Sequence, residues 1–347
     1  MKKILITLLK VGISASILGY LVWDAHRNEV FANLLEQPKH WGLLALALAS
    51  CSTAVLLTLI RWCYLVRALG VPLRMRDALR IGFLGYLFNL APMGIVGGDL
   101  LKGVMLARHQ KGKYAEALAS VFVDRITGLY LLFVVASAAI VLTGFWNVGA
   151  VRWVCNATLL VTAIGTLAVV VVLLPDRTEG RSTRWIGRLP YVGPPLLQIV
   201  DAVQMYRRRL PVLAAAAAMS IAVHSLFTLG VFLIASGLYD RVPALGMHFV
   251  LSPLSAAAGV LPLPMGPFEF VLDRLYPYAP VVGGGAMTAG QGLVIALGYR
   301  IITVLIAAVG VCYYLSSRAE LAEALHDAEL EADPEPIDHV LAGQTAA

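Results

Sequence analysis

The sequence predicts an all-α polytopic membrane protein: about six spanning helices plus two re-entrant broken-helix hairpins in an inverted repeat, with both termini cytoplasmic. Three observations carry this. Hydrophobic residues make up 59% of the 347 residues and charged residues 14%, against about a quarter charged in a soluble domain. Six apolar runs reach the ~20 residues needed to cross a bilayer. Two further apolar regions are interrupted at a shared Pro-Met-Gly core: Pro92-Met93-Gly94 in one and Pro264-Met265-Gly266 in the other.

The six runs lie near 4–23, 41–66, 117–143, 153–174, 212–237 and 287–314. The first follows Met1-Lys2-Lys3 like a signal peptide, but no small-residue cleavage site follows it, so an uncleaved first helix is expected. The broken regions, 78–109 and 246–280, read as hairpins of two half-helices, with crooked full spans as the alternative. Charge favours the hairpins. With the N-terminus inside, the cytoplasm receives Arg67, Arg74, Arg76 and Arg80, then Lys102, Arg108, Lys111 and Lys113, then the arginine-rich loop 175–211. The opposite side receives only Arg27, Lys39, Arg152, Arg241 and Arg274. This satisfies the positive-inside rule only if both broken regions return to the side they entered.

The first hairpin and its following helix then run opposite to the second hairpin and its following helix. Repeat one covers about 41–143 and repeat two about 212–314, within a transmembrane domain of residues 1–315. Inverted repeats with broken helices are the usual sequence pointer to a transporter's binding site. The 175–211 loop is expected to hold an interfacial helix near 193–207 whose arginines meet anionic headgroups. Residues 316–347 form an acidic tail, expected to fray into disorder.

Each broken motif is followed by an acid, and then by a long apolar helix carrying one arginine. The pairs are Asp99 with Arg125 and Glu269 with Arg300. Gly97-Gly98 reads as a turn whose N–H groups suit an anion at a helix N-terminus, with Asp99 either capping that helix or pairing with an arginine. Glu269 carries the same two readings. Arg125 and Asp124 lie within a span, where charges usually face a partner or a cavity, and they could pair with each other. Asn89, Pro92 and Gly94 support the first break, and Pro264 and Gly266 the second. Arg61 reads as a snorkelling residue near a span end, His224 as a satisfied core histidine, and Asp273 with Arg274 as a local pair. The four cysteines lie in apolar helices without ligand spacing, and no histidine pair sits beside a carboxylate. No metal, cofactor or catalytic residue is expected.

Gly97-Gly98-Asp99, followed by Ala119-Ser120-Val121-Phe122-Val123-Asp124-Arg125-Ile126-Thr127-Gly128, resembles the lysylphosphatidylglycerol synthase transmembrane-region family, the flippase-like membrane half of the bacterial multiple peptide resistance factor. The resemblance covers roughly residues 5–315 and implies a lipid-translocating membrane domain, with Asp99, Arg125 and Glu269 as motif residues. Lys102 stands where many members carry arginine, keeping the charge and losing the bidentate fork. The soluble aminoacyl-transferase domain of the two-part enzymes is not expected here.

The functional expectation is a lipid flippase of the cell (inner) membrane, working by alternating access. Its partner would be an anionic or aminoacylated phospholipid, or a polyprenyl-phosphate-linked lipid. No nucleic acid is expected, and a homodimer is left open. The rival expectations are a membrane enzyme acting on lipid phosphates, against which the absence of Asp-x-Asp and Ser-His arrangements counts, and a scaffold for envelope lipid or glycan synthesis.

Overall fold

The computed structural model describes residues 2–36, 38–90, 94–109, 113–173, 205–261, 263 and 265–316. Eleven α-helices follow one another among these residues: α1 (Lys2–Arg27), α2 (Val30–Glu36), α3 (Trp41–Ala68), α4 (Met75–Leu90), α5 (Gly94–His109), α6 (Tyr114–Thr143), α7 (Arg152–Leu173), α8 (Leu210–Leu238), α9 (Leu245–Ala258), α10 (Pro267–Leu275) and α11 (Gln291–Ser316). Six stretches are long and apolar enough to cross a bilayer: Leu8–Arg27, Trp41–Ala68, Ala115–Thr143, Gly149–Val171, Leu210–Leu238 and Gln291–Ser316. The fold is all-α and polytopic, and the spans fall where the apolar runs put them. The short helix α2 was not anticipated.

The two broken regions each form a pair of short helices. At 1.5 Å per residue, α4 and α5 (16 residues each) and α9 and α10 (14 and 9) are too short to cross ~30 Å of hydrocarbon alone. The members of each pair pack against one another. The chain entering the first pair also meets the chain leaving it, where the Lys113 ammonium donates to the Gly70 carbonyl. At the second pair, Pro243 bridges Val281, and Val282 N–H donates to the Val242 carbonyl at 3.4 Å.

The most extensive helix contact among the described residues is α3 against α8. Without a hydrophobic force between helices in lipid, close approach depends on small residues. Gly230 of α8 lies against Cys51, and Gly237 against Leu44. Contacts then cross between the halves: α4 packs on α11, while α9 packs on α6. Helix α7 packs against α6 at the edge, held by Tyr130 to Thr166 (2.9 Å) and Ser137 to Thr162 (2.6 Å), and turns Leu160, Ile164 and Leu167 outward.

Most of loop 175–211 and the tail from 317 onward lie outside the described residues, and so do the expectations placed on them. The end of the expected interfacial helix is described: Tyr206 is buried and its hydroxyl donates to the Leu65 carbonyl at 2.9 Å.

Candidate functional site

The first acid–arginine pair forms. Arg125 donates one hydrogen bond to Asp99, from Nη2 to Oδ1 at 2.5 Å, and its Nε forms an ion pair with Oδ2. This side-on fork is the geometry guanidinium and carboxylate favour. Lys102, one turn along α5, adds a longer contact to Oδ1 at 3.4 Å and lies 6.0 Å from the Trp62 ring centroid.

The expected glycine turn is absent. Helix α5 begins at Gly94, so Gly97, Gly98 and Asp99 all lie within it, and Asp99 is too far in to be an N-cap. Gly98 acts in packing instead: a Cβ there would sit 2.1 Å from the Gly85 carbonyl oxygen and 2.3 Å from Asn89 Oδ1. The glycine therefore lets α4 and α5 touch backbone to backbone. Asn89, expected to support the first break, has an Oδ1 with no hydrogen-bond partner. Pro92 and Pro264 lie outside the described residues.

In the second half both readings of the acid hold together. Gly266 is the N-cap of α10, with φ +110° and ψ −55°, a conformation that only glycine adopts cheaply. Its N–H donates to Glu269 Oε2 at 2.8 Å, the return half of a capping box. The other carboxylate oxygen, Oε1, accepts from Arg300 Nε (3.0 Å) and Nη2 (2.5 Å). Glu269 is fully buried. One carboxylate thus fixes the start of α10 and ties it to α11.

Asp124 does not pair with its neighbour Arg125. Its partner is Arg61 of α3, with Nε to Oδ1 at 2.8 Å. Arg61 Nη1 also donates to the Ser220 hydroxyl of α8 at 2.6 Å. Arg61 is buried, contrary to the snorkelling expectation. The reason is that α3, α6 and α8 each turn a polar side chain to the same interior point. Asp273 and Arg274 also part company. Asp273 Oδ1 accepts from the N–H groups of Gly290 (2.7 Å) and Leu293 (3.0 Å) at the start of α11, while Arg274 reaches Asp24 of α1 at 2.8 Å.

A cavity of about 530 Å³ lies among α3, α4, α5, α6, α8, α9, α10 and α11. Its charged lining is Arg61, Lys102, Asp124 and Arg125, and Tyr86, Phe227, Phe268 and Tyr299 supply aromatic surface. Tyr299 contacts both Phe268 (centroids 5.1 Å apart) and Phe227 (6.3 Å). His224 lines the cavity too, with Nε2 2.8 Å from the Gly128 carbonyl. Most of the remaining lining is apolar. The cavity therefore offers charged partners and apolar walls together. The cavity brings together Asn89, Lys102, Asp124 and Arg125 from the residues expected in sequence; Glu269 and Arg300 lie beside it, next to Phe268 and Tyr299 in the chain. Sequence reasoning gave no signal for Thr228 and Ser252; it singled out Arg61 and His224, ionisable groups inside spans, but read them as a snorkelling residue and a satisfied core histidine rather than as cavity lining.

No curated protein and no solved structure matches the chain. The family model described as "Lysylphosphatidylglycerol synthase TM region" matches residues 7–310, which takes in five of the six candidate spans whole and all but the end of the sixth, with both pairs of short helices and every residue of the site. The chain belongs to the lysylphosphatidylglycerol synthase TM region family.

Proposed function

We propose that the protein moves a lipid with a charged headgroup between the leaflets of the cell membrane by alternating access. The observation that carries this reading is the cavity, in which cationic side chains share one space with apolar and aromatic walls. A headgroup crossing hydrocarbon unaided loses its hydration, a large cost for any ion. Arg61, Lys102 and Arg125 would replace that hydration while the tails stay in lipid.

The reading takes α4–α5 and α9–α10 as re-entrant hairpins. The contacts joining the two ends of each, Lys113 to Gly70 and Val282 to Val242, support this, because a crooked span would separate its ends by a membrane. It also takes the halves as an inverted repeat, with α3, α4, α5 and α6 matching α8, α9, α10 and α11. The packing favours that match: exchanging the two sets turns the α4–α11 contact into α9–α6, α3–α6 into α8–α11 and α5–α6 into α10–α11, all of which occur. Asp99–Arg125 and Glu269–Arg300 exchange in the same way. Such a repeat gives two alternative packings, one open to each side. The arginine-rich loops favour a cytoplasmic N-terminus.

The test is leaflet exchange of fluorescent phospholipids in proteoliposomes, comparing wild type with Ala256→Trp, which fills the cavity from α9. Exchange by the wild type that the tryptophan abolishes is the expected result. Equal exchange by a folded variant rules the cavity out as the route.

A further inference from the structure

We infer, resting on the transport reading above, that the cavity selects a singly charged phosphodiester whose headgroup carries hydroxyl groups, and refuses aminoacylated headgroups that bear a positive charge. Charge is the first argument. Around the cavity Arg61, Lys102 and Arg125 stand against Asp124 and Asp99. Three cations against two carboxylates leave one positive charge uncompensated, the complement of one phosphodiester. A cationic headgroup entering the same space adds repulsion to the loss of its hydration.

Unpaired polar atoms are the second argument. Thr228 lines the cavity, is fully buried, and its hydroxyl has no hydrogen-bond partner. Thr53, Thr58, Thr143 and Thr158 each donate to the carbonyl four residues back in their helix; Thr228 makes no such bond. A buried hydroxyl left without a partner is costly, and here the partner comes from the occupant. Asn89 of α4, also on the cavity lining, carries an amide oxygen in the same condition. An amide oxygen accepts only, so it needs a donor. A headgroup hydroxyl both donates and accepts and satisfies both positions. A trimethylammonium group has no N–H or O–H and satisfies neither.

The chemistry comes from two sources, a glycerophospholipid such as phosphatidylglycerol or a polyprenyl-phosphoryl sugar, which differ in the tail. Competitive lipid retention by the detergent-solubilised full chain, read by native mass spectrometry, tests the inference without any transport step. The probes are phosphatidylglycerol, polyprenyl-phosphoryl glucose, phosphatidylmethanol (the same charge, no hydroxyl) and lysyl-phosphatidylglycerol. At least one of the two hydroxylated anions is expected to outcompete phosphatidylmethanol and lysyl-phosphatidylglycerol by about tenfold, the worth of one good hydrogen bond, and the better of the two identifies which lipid is the source. Thr228→Val brings the ratio over phosphatidylmethanol to about one, and Thr228→Ser restores it. Lys102→Met narrows the ratio over lysyl-phosphatidylglycerol. Each ratio is read within one protein, so a general loss of stability cancels. Lysyl-phosphatidylglycerol held as tightly as both hydroxylated anions, or a Thr228→Val ratio equal to wild type, overturns the inference. Protein that holds a hydroxylated anion selectively yet never moves it leaves the inference standing and sinks the transport reading; protein that moves only the cationic lipid does the reverse.

Discussion

Arg61 and Asp124, 63 positions apart, meet at 2.8 Å with side chains only 5% and 8% exposed. Asp99 and Arg125 make a fork of similar quality, yet the Arg125 side chain is 43% exposed. The two pairs share a cavity and differ in how far water reaches them, so their loss has different consequences.

Breaking the sealed pair strands a charge. Arg61→Met leaves Asp124 buried and alone, at a cost of about 3–5 kcal/mol. Thermal unfolding in detergent reads this as a large loss of stability, and Arg61→Met combined with Asp124→Leu recovers a good part of it. A single variant as stable as wild type contradicts the pairing.

Arg125→Gln costs far less, about 1 kcal/mol or under, because solvent screens its half-exposed side chain, and Asp99→Asn about 1–3 kcal/mol, because buried Lys102 loses its carboxylate partner. Both variants are expected to stay folded by the same unfolding measurement. That makes them suitable probes of transport.

Glu269 fixes two things at once. Glu269→Gln weakens both the cap at Gly266 and the pair with Arg300, and about 3 kcal/mol is expected to go with the buried partner stranded. Gly266→Ala forces a Cβ onto a positive φ and costs about 1–3 kcal/mol. Gly98→Ala separates α4 from α5 at a cost of similar order. Wild-type unfolding temperatures for Gly266→Ala and Gly98→Ala would refute the backbone geometry at both breaks.

The proposed re-entrant topology makes a labelling test sharp. Cys51, Cys63 and Cys155 are buried and Cys312 is exposed, so Cys312→Ser gives a quiet background. Arg74→Cys and Lys113→Cys, which flank α4–α5, are expected to react with an impermeant maleimide from one face of sealed vesicles. Ala244→Cys and Val282→Cys, which flank α9–α10, are expected to react from the other. Members of a pair reacting from opposite faces would mean full spans.

The spans and both breaks were legible because twenty apolar residues, and a proline inside such a run, have few other uses. The acid–arginine partners were legible because the two halves repeat the same order of residues. The Arg61–Asp124–Ser220 cluster was not. In a soluble helix the polar face reveals the buried one, but a membrane helix is apolar toward lipid and toward its neighbours alike, so the faces of α3 and α8 could not be told apart. Arg61 therefore looked like a residue near a span end, and Thr228 like any threonine. The Gly97-Gly98 turn failed for a related reason: glycine permits a turn and equally permits close helix contact, and only the position of Gly85 decides which.

The central claim is that a headgroup crosses the membrane through the cavity beside Asp99 and Arg125. Leaflet exchange of fluorescent phosphatidylglycerol in proteoliposomes, measured for wild type, Asp99→Asn and Arg125→Gln, tests it most directly. The expected result is rapid exchange by wild type, and exchange at least about tenfold slower for both variants while folded, the effect of removing one charged contact from the path. Variants that exchange lipid as fast as wild type, or well-folded wild type that exchanges none, would contradict it.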